Sequence, residues 1–143
     1  MKTVSQLLRA KGDRVLSVSP ETAVFQALEL MAERNVGALL VLEGERLVGI
    51  FSERDYARKV ILKGKTSKDT PVREIMSSHV LYVRMDQTIE DCMALMTDKR
   101  VRHLPVLEGH RVVGVISIGD VVKDIISEQQ FMIEQLQNYI TKG

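Results

Sequence analysis

The chain has 143 residues, with 20 basic and 19 acidic side chains for a net charge of +1, 45% apolar content, 4% aromatics and no Trp. This suits one compact domain or two very small half-domains around an aliphatic core, and it excludes a disordered chain, which needs lower hydrophobicity or a larger net charge. The near-neutral balance argues against nucleic-acid binding, and the longest apolar run, Val36 to Leu42, falls well short of the about 20 residues of a membrane span, so no membrane partner and a cytoplasmic location are expected.

In chain order, Val4, Leu7 and Leu8 form a short prelude. Val15 to Val18 reads as a β segment, and Ser19-Pro20-Glu21-Thr22 as a helix start with Pro near its first turn. Val24, Ala27, Leu28 and Met31 keep helical spacing until about Asn35. Ala38 to Leu42 is a continuous apolar run, suited to a strand buried on both faces. Glu43-Gly44-Glu45-Arg46 is a tight turn that places Gly where φ is free to be positive. Leu47 to Ser52 is the returning strand, and Glu53 to Lys63 opens a second helix. The same order recurs as Val80 to Val83, Ile89 to Lys99, Leu104 to Leu107, Val112 to Ser117 and Gly119 onward, with a tail from about Lys123.

The recurrence is a repeat. A shift of 65 positions lays Val15 to Asp55 on Val80 to Asp120 without a gap, and 16 of the 41 aligned pairs are identical, among them Met31/Met96, Gly44/Gly109, Gly49/Gly114, Ser52/Ser117 and Asp55/Asp120. The prelude repeats as Val72, Ile75 and Met76 once three residues of slack are allowed. The expected fold is α/β (α+β): two tandem β-α-β-β-α units, residues 1–71 and 72–143, with a C-terminal helix.

Val-Gly-Ile-Phe-Ser-Glu-Arg-Asp (Val48 to Asp55) and Val-Gly-Val-Ile-Ser-Ile-Gly-Asp (Val113 to Asp120), each after a hairpin, resemble the cystathionine β-synthase (CBS) domain, as does Arg-His-Leu-Pro-Val at Arg102 to Val106. Two such motifs in tandem resemble a CBS pair, or Bateman module, whose repeats are related by a pseudo-two-fold axis. The resemblance covers essentially the whole chain. It implies a regulatory sensor, not an enzyme, that binds AMP, ADP, ATP, NAD(H) or, last in order of preference, S-adenosylmethionine in the cleft between repeats, forms a disc-like homodimer and signals to an unidentified regulated protein.

The residues suit that chemistry on their own terms. A carboxylate at a helix start accepts both hydroxyl protons of a ribose in charge-assisted hydrogen bonds, and Asp55 and Asp120 occupy such positions with Ser52 and Ser117 three residues earlier. The competing reading is that each Asp merely caps its helix. For phosphate, the second repeat offers Lys99, Arg100, Arg102 and His103 where the first has Arg34, Asn35, Val36, Gly37 and Ala38. Arg102 and His103 align with positions that commonly face phosphate in the family. Arg54 has only Gly119 as its counterpart, which suggests that the Asp55 pocket is better suited to phosphate. Basic residues in such places are otherwise a solvated surface. Family geometry draws the base contacts from the opposite repeat: Thr22, Ala27, Val36, Gly37 and Ala38 for Asp120, and Thr88, Val101, Arg102 and His103 for Asp55. Gly37 and Ala38 equally fit close helix–strand packing.

Other chemistry lacks its parts. Cys92 has no disulfide partner, and His79, His103 and His110 share no metal-ligand spacing with it. No Cys-His, Ser-His-Asp or paired-carboxylate arrangement supports a small nucleotide-processing hydrolase or transferase, so no catalytic residue is expected. Lys63 to Thr70 does not match a phosphate-binding loop and reads as a solvated linker. Val122, Ile125, Ile126, Gln129, Ile133, Leu136 and Ile140 make one helical stripe, widened by Phe131 and Met132, which points to self-association. A protein–protein adaptor with vestigial pockets is the remaining alternative.

Overall fold

The computed structural model describes residues 2–142, with side chains through residue 139. Helix α1 (Val4–Lys11) starts in a reciprocal capping box between Thr3 and Gln6 and stops at Gly12, whose φ of 102° suits glycine. After strand β1 (Ser17–Val18), residues Ser19 to Thr22 close a turn in which Thr22 N donates to Ser19 O at 3.1 Å. Helix α2 therefore spans Val24–Arg34, beginning later than the Pro20 position suggested, and it ends where expected, with Asn35 in the left-handed conformation. Strands β2 (Ala38–Glu43) and β3 (Arg46–Ser52) form a hairpin turned by Gly44 at φ 64°. Helix α3 (Glu53–Tyr56) continues as a π-helical turn over Ala57–Ile61, in place of the regular helix expected to Lys63; the wider turn seats Val60 fully in the core.

The second copy begins with a single 3-10 turn (Val72–Glu74), then β4 (Val83–Arg84), α4 (Ile89–Lys99), β5 (His103–Glu108), β6 (Arg111–Ser117) and α5 (Ile118–Lys142). The expected second helix and the expected tail are thus one helix of 25 residues, about 37 Å long. Among the described residues no helix is long and apolar enough to cross a membrane.

The strands make two three-stranded sheets, β1-β2-β3 and β4-β5-β6, each with a parallel then an antiparallel pairing. The two sheets share a register slip, after Val41 and after Val106, as a true repeat should. Side chains alternate across β2: Leu39 and Val41 join Phe51 in the core, while Leu40 and its register partner Ile50 face the cleft between the repeats.

Each core is completed by the other half of the chain. Val4, Leu7 and Leu8 of α1 are buried with Val83, Ile89, Met96, Leu104 and Ile116 of the second repeat, whereas Val72 and Ile75 are buried with Val24, Met31, Leu39 and Phe51 of the first. Backbone hydrogen bonds follow the exchange: Val4 N donates to Gln87 O at 2.8 Å, and Val72 N to Thr22 O at 2.8 Å. Glycine makes room for it. A Cβ on Gly114 would lie 2.8 Å from both Leu8 methyls, and one on Gly49 would lie 2.6 Å from Met76 Sδ. Each prelude thus lies across the boundary expected at residues 71/72. Cys92 sits inside the second core, where burial first and the Asp91 charge second push its thiol up to about 11, so it is no nucleophile at neutral pH.

Candidate functional site

A cleft of about 480 Å³ opens between the repeats. From the first repeat it is lined by Asn35, Val36, Gly37, Ala38 and Leu40, and from the second by His103, Val115, Ser117 and Asp120. Asp120 lies in the first turn of α5 because Ser117 ends β6 and caps that helix: Asp120 N donates to Ser117 Oγ at 3.2 Å and Ser117 N to Asp120 Oδ2 at 2.8 Å. Capping and an open acceptor are therefore compatible. Oδ2 serves the cap and Oδ1 takes neither bond.

Lys11 also enters the cleft. At the end of α1, its ammonium donates to Asp120 Oδ2 and to Val115 O, both at 2.6 Å. Burial alone would raise the Asp120 carboxyl, but the bonds from Lys11 and Ser117, with the Lys11 charge, hold it below its ordinary value. Arg14 and Arg34 line the same cleft, so its lining holds three cations and one carboxylate. His103 is shifted down, chiefly by burial and then by Lys11 and Arg102, against the opposing charges of Asp120 and Glu53. It is the neutral donor and acceptor of the site.

The Asp55 side is built alike but is held differently. Ser52 and Asp55 form the same capping box, with Ser52 N donating to Asp55 Oδ2 at 3.0 Å. The cation on Asp55 comes from its own helix, Lys59 Nζ lying 3.3 Å from Oδ1 and donating to Ile75 O. Where Lys11 takes Val115 O, the equivalent Ile50 O accepts from Ser77 N at 2.9 Å, so backbone closes the strand edge that a side chain covers in the other half.

The model of the CBS domain family matches residues 4–62 and again residues 72–127. The chain belongs to the CBS-domain family. The mitochondrial CBS domain-containing protein CBSX3 of Arabidopsis thaliana is 37% identical over 99% of this chain and 73% of its own length. A CBS-domain protein from Burkholderia ambifaria MC40-6, described in terms of signal transduction, has a solved structure with a TM-score of 0.87 at 50% identity, covering 90% of this chain and 96% of that one. The CBS pair of protein MJ0100, solved with 5′-methylthioadenosine and S-adenosyl-L-methionine, shares the fold with a TM-score of 0.80 at 20% identity over 90% and 98% of the two chains. This chain is thus a CBS pair of the regulatory, signal-transduction class, as its repeated Gly-x-x-Ser-x-x-Asp signature implied.

Within the CBS pair, the residues expected around Asp120 separate into two groups. Val36, Gly37 and Ala38 do line its cleft. Ala27 is fully buried in the first core, and Thr22 belongs to the turn before α2. His103, expected beside Asp55, lines the Asp120 cleft; Gly37 lacks the Cβ that would stand 3.9 Å from its ring. Of its other expected neighbours, Thr88 caps α4 in a box with Asp91, Val101 packs on the second core and Arg102 is exposed. Arg54 is exposed as well. The cations that line the Asp120 cleft are ones the signature did not point to, Lys11, Arg14 and Arg34. The signal for Lys11 and Arg14 is the three-residue excess between prelude and first strand, which only the first copy carries.

The half-buried imidazole has a consequence for acid stability. Its folded pKa lies below the ordinary 6.5, so the unfolded chain takes up that proton first as the pH falls. The stability contributed by neutral His103 is complete above that range and is lost as the pH drops from 6.5 toward the folded value. Thermal melts at pH 7 and pH 5 should show His103→Gln losing less stability than the wild type over that interval. An equal loss would place the acid sensitivity elsewhere.

Proposed function

We propose that this CBS pair is a regulatory sensor that binds an adenine nucleotide in the Asp120 cleft and passes its occupancy to a partner protein. One observation carries the reading: a carboxylate at a helix start shares one cleft, across the repeat boundary, with Val36 and the small residues Gly37 and Ala38. Asp120 and Ser117 suit the ribose hydroxyls, Leu16, Leu40 and Ile50 offer the base an apolar wall, and Lys11, Arg14 and Arg34 suit phosphate. Because the cleft is shared by both repeats, a ligand favours one arrangement of the repeats by as much as it prefers that arrangement. The adenosyl ligands bound by the MJ0100 pair support the ligand class. Ser52 and Asp55 form the second, separately controlled site, to which Thr88, Val101, Arg102 and Arg54 are assigned.

The test is direct. Mass spectrometry of ligand carried through purification names the occupant, and that nucleotide at 100 times its Kd should stabilise the protein by about 2.7 kcal/mol, seen as a rise in Tm. No rise with any adenine nucleotide would leave the adaptor reading in its place.

The same reading includes a homodimer through α5. Its distal half stands clear of the module, with Phe131 and Leu136 each 61% exposed and Met132 and Ile133 similarly bare; Ile140, also on that stripe, lies outside the described side chains. Deleting the residues after Ile126 removes this surface, each side chain of which contributes on the order of 1.5–3 kcal/mol when buried. Light scattering should then show a smaller assembly than the full chain, and an unchanged one would place the interface on the repeat helices.

A further inference from the structure

We infer that Lys11 sets the ligand specificity of the Asp120 cleft: in the empty cleft its ammonium holds the ribose-accepting carboxylate, and on binding it passes to a ligand phosphate, so a phosphorylated adenosyl ligand is taken over an unphosphorylated one. This rests on the adenosyl reading of the cleft and goes beyond it by naming what selects within that class.

The geometry sets up a competition. Lys11 Nζ is 2.6 Å from Asp120 Oδ2, the carboxylate on which a ribose would depend, and 2.6 Å from Val115 O. A ligand that brings only a ribose and a base has to weaken this ion pair with nothing to offer the ammonium in return. Moreover, the displaced charge would remain in a cleft that Arg14 and Arg34 already make cationic. Three cations against Asp120 leave an excess of +2 among the charged residues lining the cleft, which one or two phosphates would balance. A sulfonium ligand would add to the excess. The Lys11 side chain is 36% exposed, so its flexible stem is free to swing.

The arrangement is particular to this half of the molecule. The three-residue excess lets α1 run its full eight residues and end on Lys11, with Gly12 turning the chain toward Arg14. The second prelude is one 3-10 turn, after which Ser77 pairs with Ile50 and closes the equivalent edge with backbone. The Asp55 side is therefore not controlled in this way.

Calorimetry with adenosine and ADP on the wild type, Lys11→Met and Lys11→Arg separates the possibilities. The wild type should prefer ADP by roughly tenfold or more, the scale of one charge-assisted contact. Lys11→Met should bind ADP more weakly and adenosine more tightly, opposite signs that collapse the preference; Lys11→Arg should retain it. Melting curves on each variant confirm that the comparison is made on folded protein. Equal weakening of both ligands in Lys11→Met would make Lys11 a structural residue and overturn the inference, as would unchanged affinities or a wild type with no preference. A wild type that binds neither ligand overturns the adenosyl reading itself, and the inference with it.

Discussion

Replacing Asp120 with Ala should weaken adenine-nucleotide binding at the inter-repeat cleft by about 2–3 kcal/mol, or roughly 30- to 150-fold, the scale of two charge-assisted hydrogen bonds to a ribose. The substitution has a second cost. Asp120 Oδ2 also accepts from Ser117 N at 2.8 Å and pairs with Lys11, so Ala removes a helix cap as well as a ligand contact. Asp120→Asn separates the two, because the amide oxygen keeps the cap while the charge is lost. Calorimetry should show most of the affinity loss in both variants, and melting should show more of the stability loss in Ala alone. Wild-type affinity in Asp120→Ala would remove Asp120 from the site.

The largest effect on stability is expected from Leu8→Ala. Leu8 is buried against Gly114, with no room even for a β-carbon between them, and it belongs to the core of a repeat from which it is distant along the chain. Truncating a buried Leu costs about 2–5 kcal/mol, and this core has few aromatic groups with which to refill the space. Chemical denaturation would measure it. The loss should also reach the ligand, since Lys11 stands less than one turn further along the same helix. A cost below about 1 kcal/mol would mean that α1 is not an integral part of the second core.

Much of the fold was legible because the repeat is written in local signals. Gly44 and Gly109 turn their hairpins with φ of 64° and 65°, and Ser52 and Ser117 cap helices that start where the signature says they do. Asn35 ends α2 in the left-handed conformation, and Arg100 does the same for α4. The exchange of preludes was not legible, since nothing in Val4, Leu7 and Leu8 states which of two similar cores they enter; shape complementarity between side chains some 75 or more residues apart decides it. The same limit applied to the site. Lys11 joins Asp120 across 109 positions, so a reading confined to each repeat's own signature could find the carboxylate but not its counter-ion. His103 was recognised as a ligand candidate and assigned to the opposite face, because the passage of its ring beside Gly37 depends on how the two sheets meet.

The exchanged preludes also order events during synthesis. Helix α1 leaves the ribosome before the second repeat, yet the core that receives it is not complete until Val121 has followed. Chains fold from their N-terminal end as they emerge, but here an earlier segment waits for a later one. The first core, closed by Val72 and Ile75, can form while the second repeat is still being made. Closing a loop of more than 100 residues costs only slightly more entropy than closing one of 50, so the delay is set by translation and not by the search. During that interval α1 and the unfinished second sheet both expose apolar faces made for each other. Two neighbouring nascent chains at that stage would carry matching halves, and correct assembly depends on each chain reaching its own α1 first.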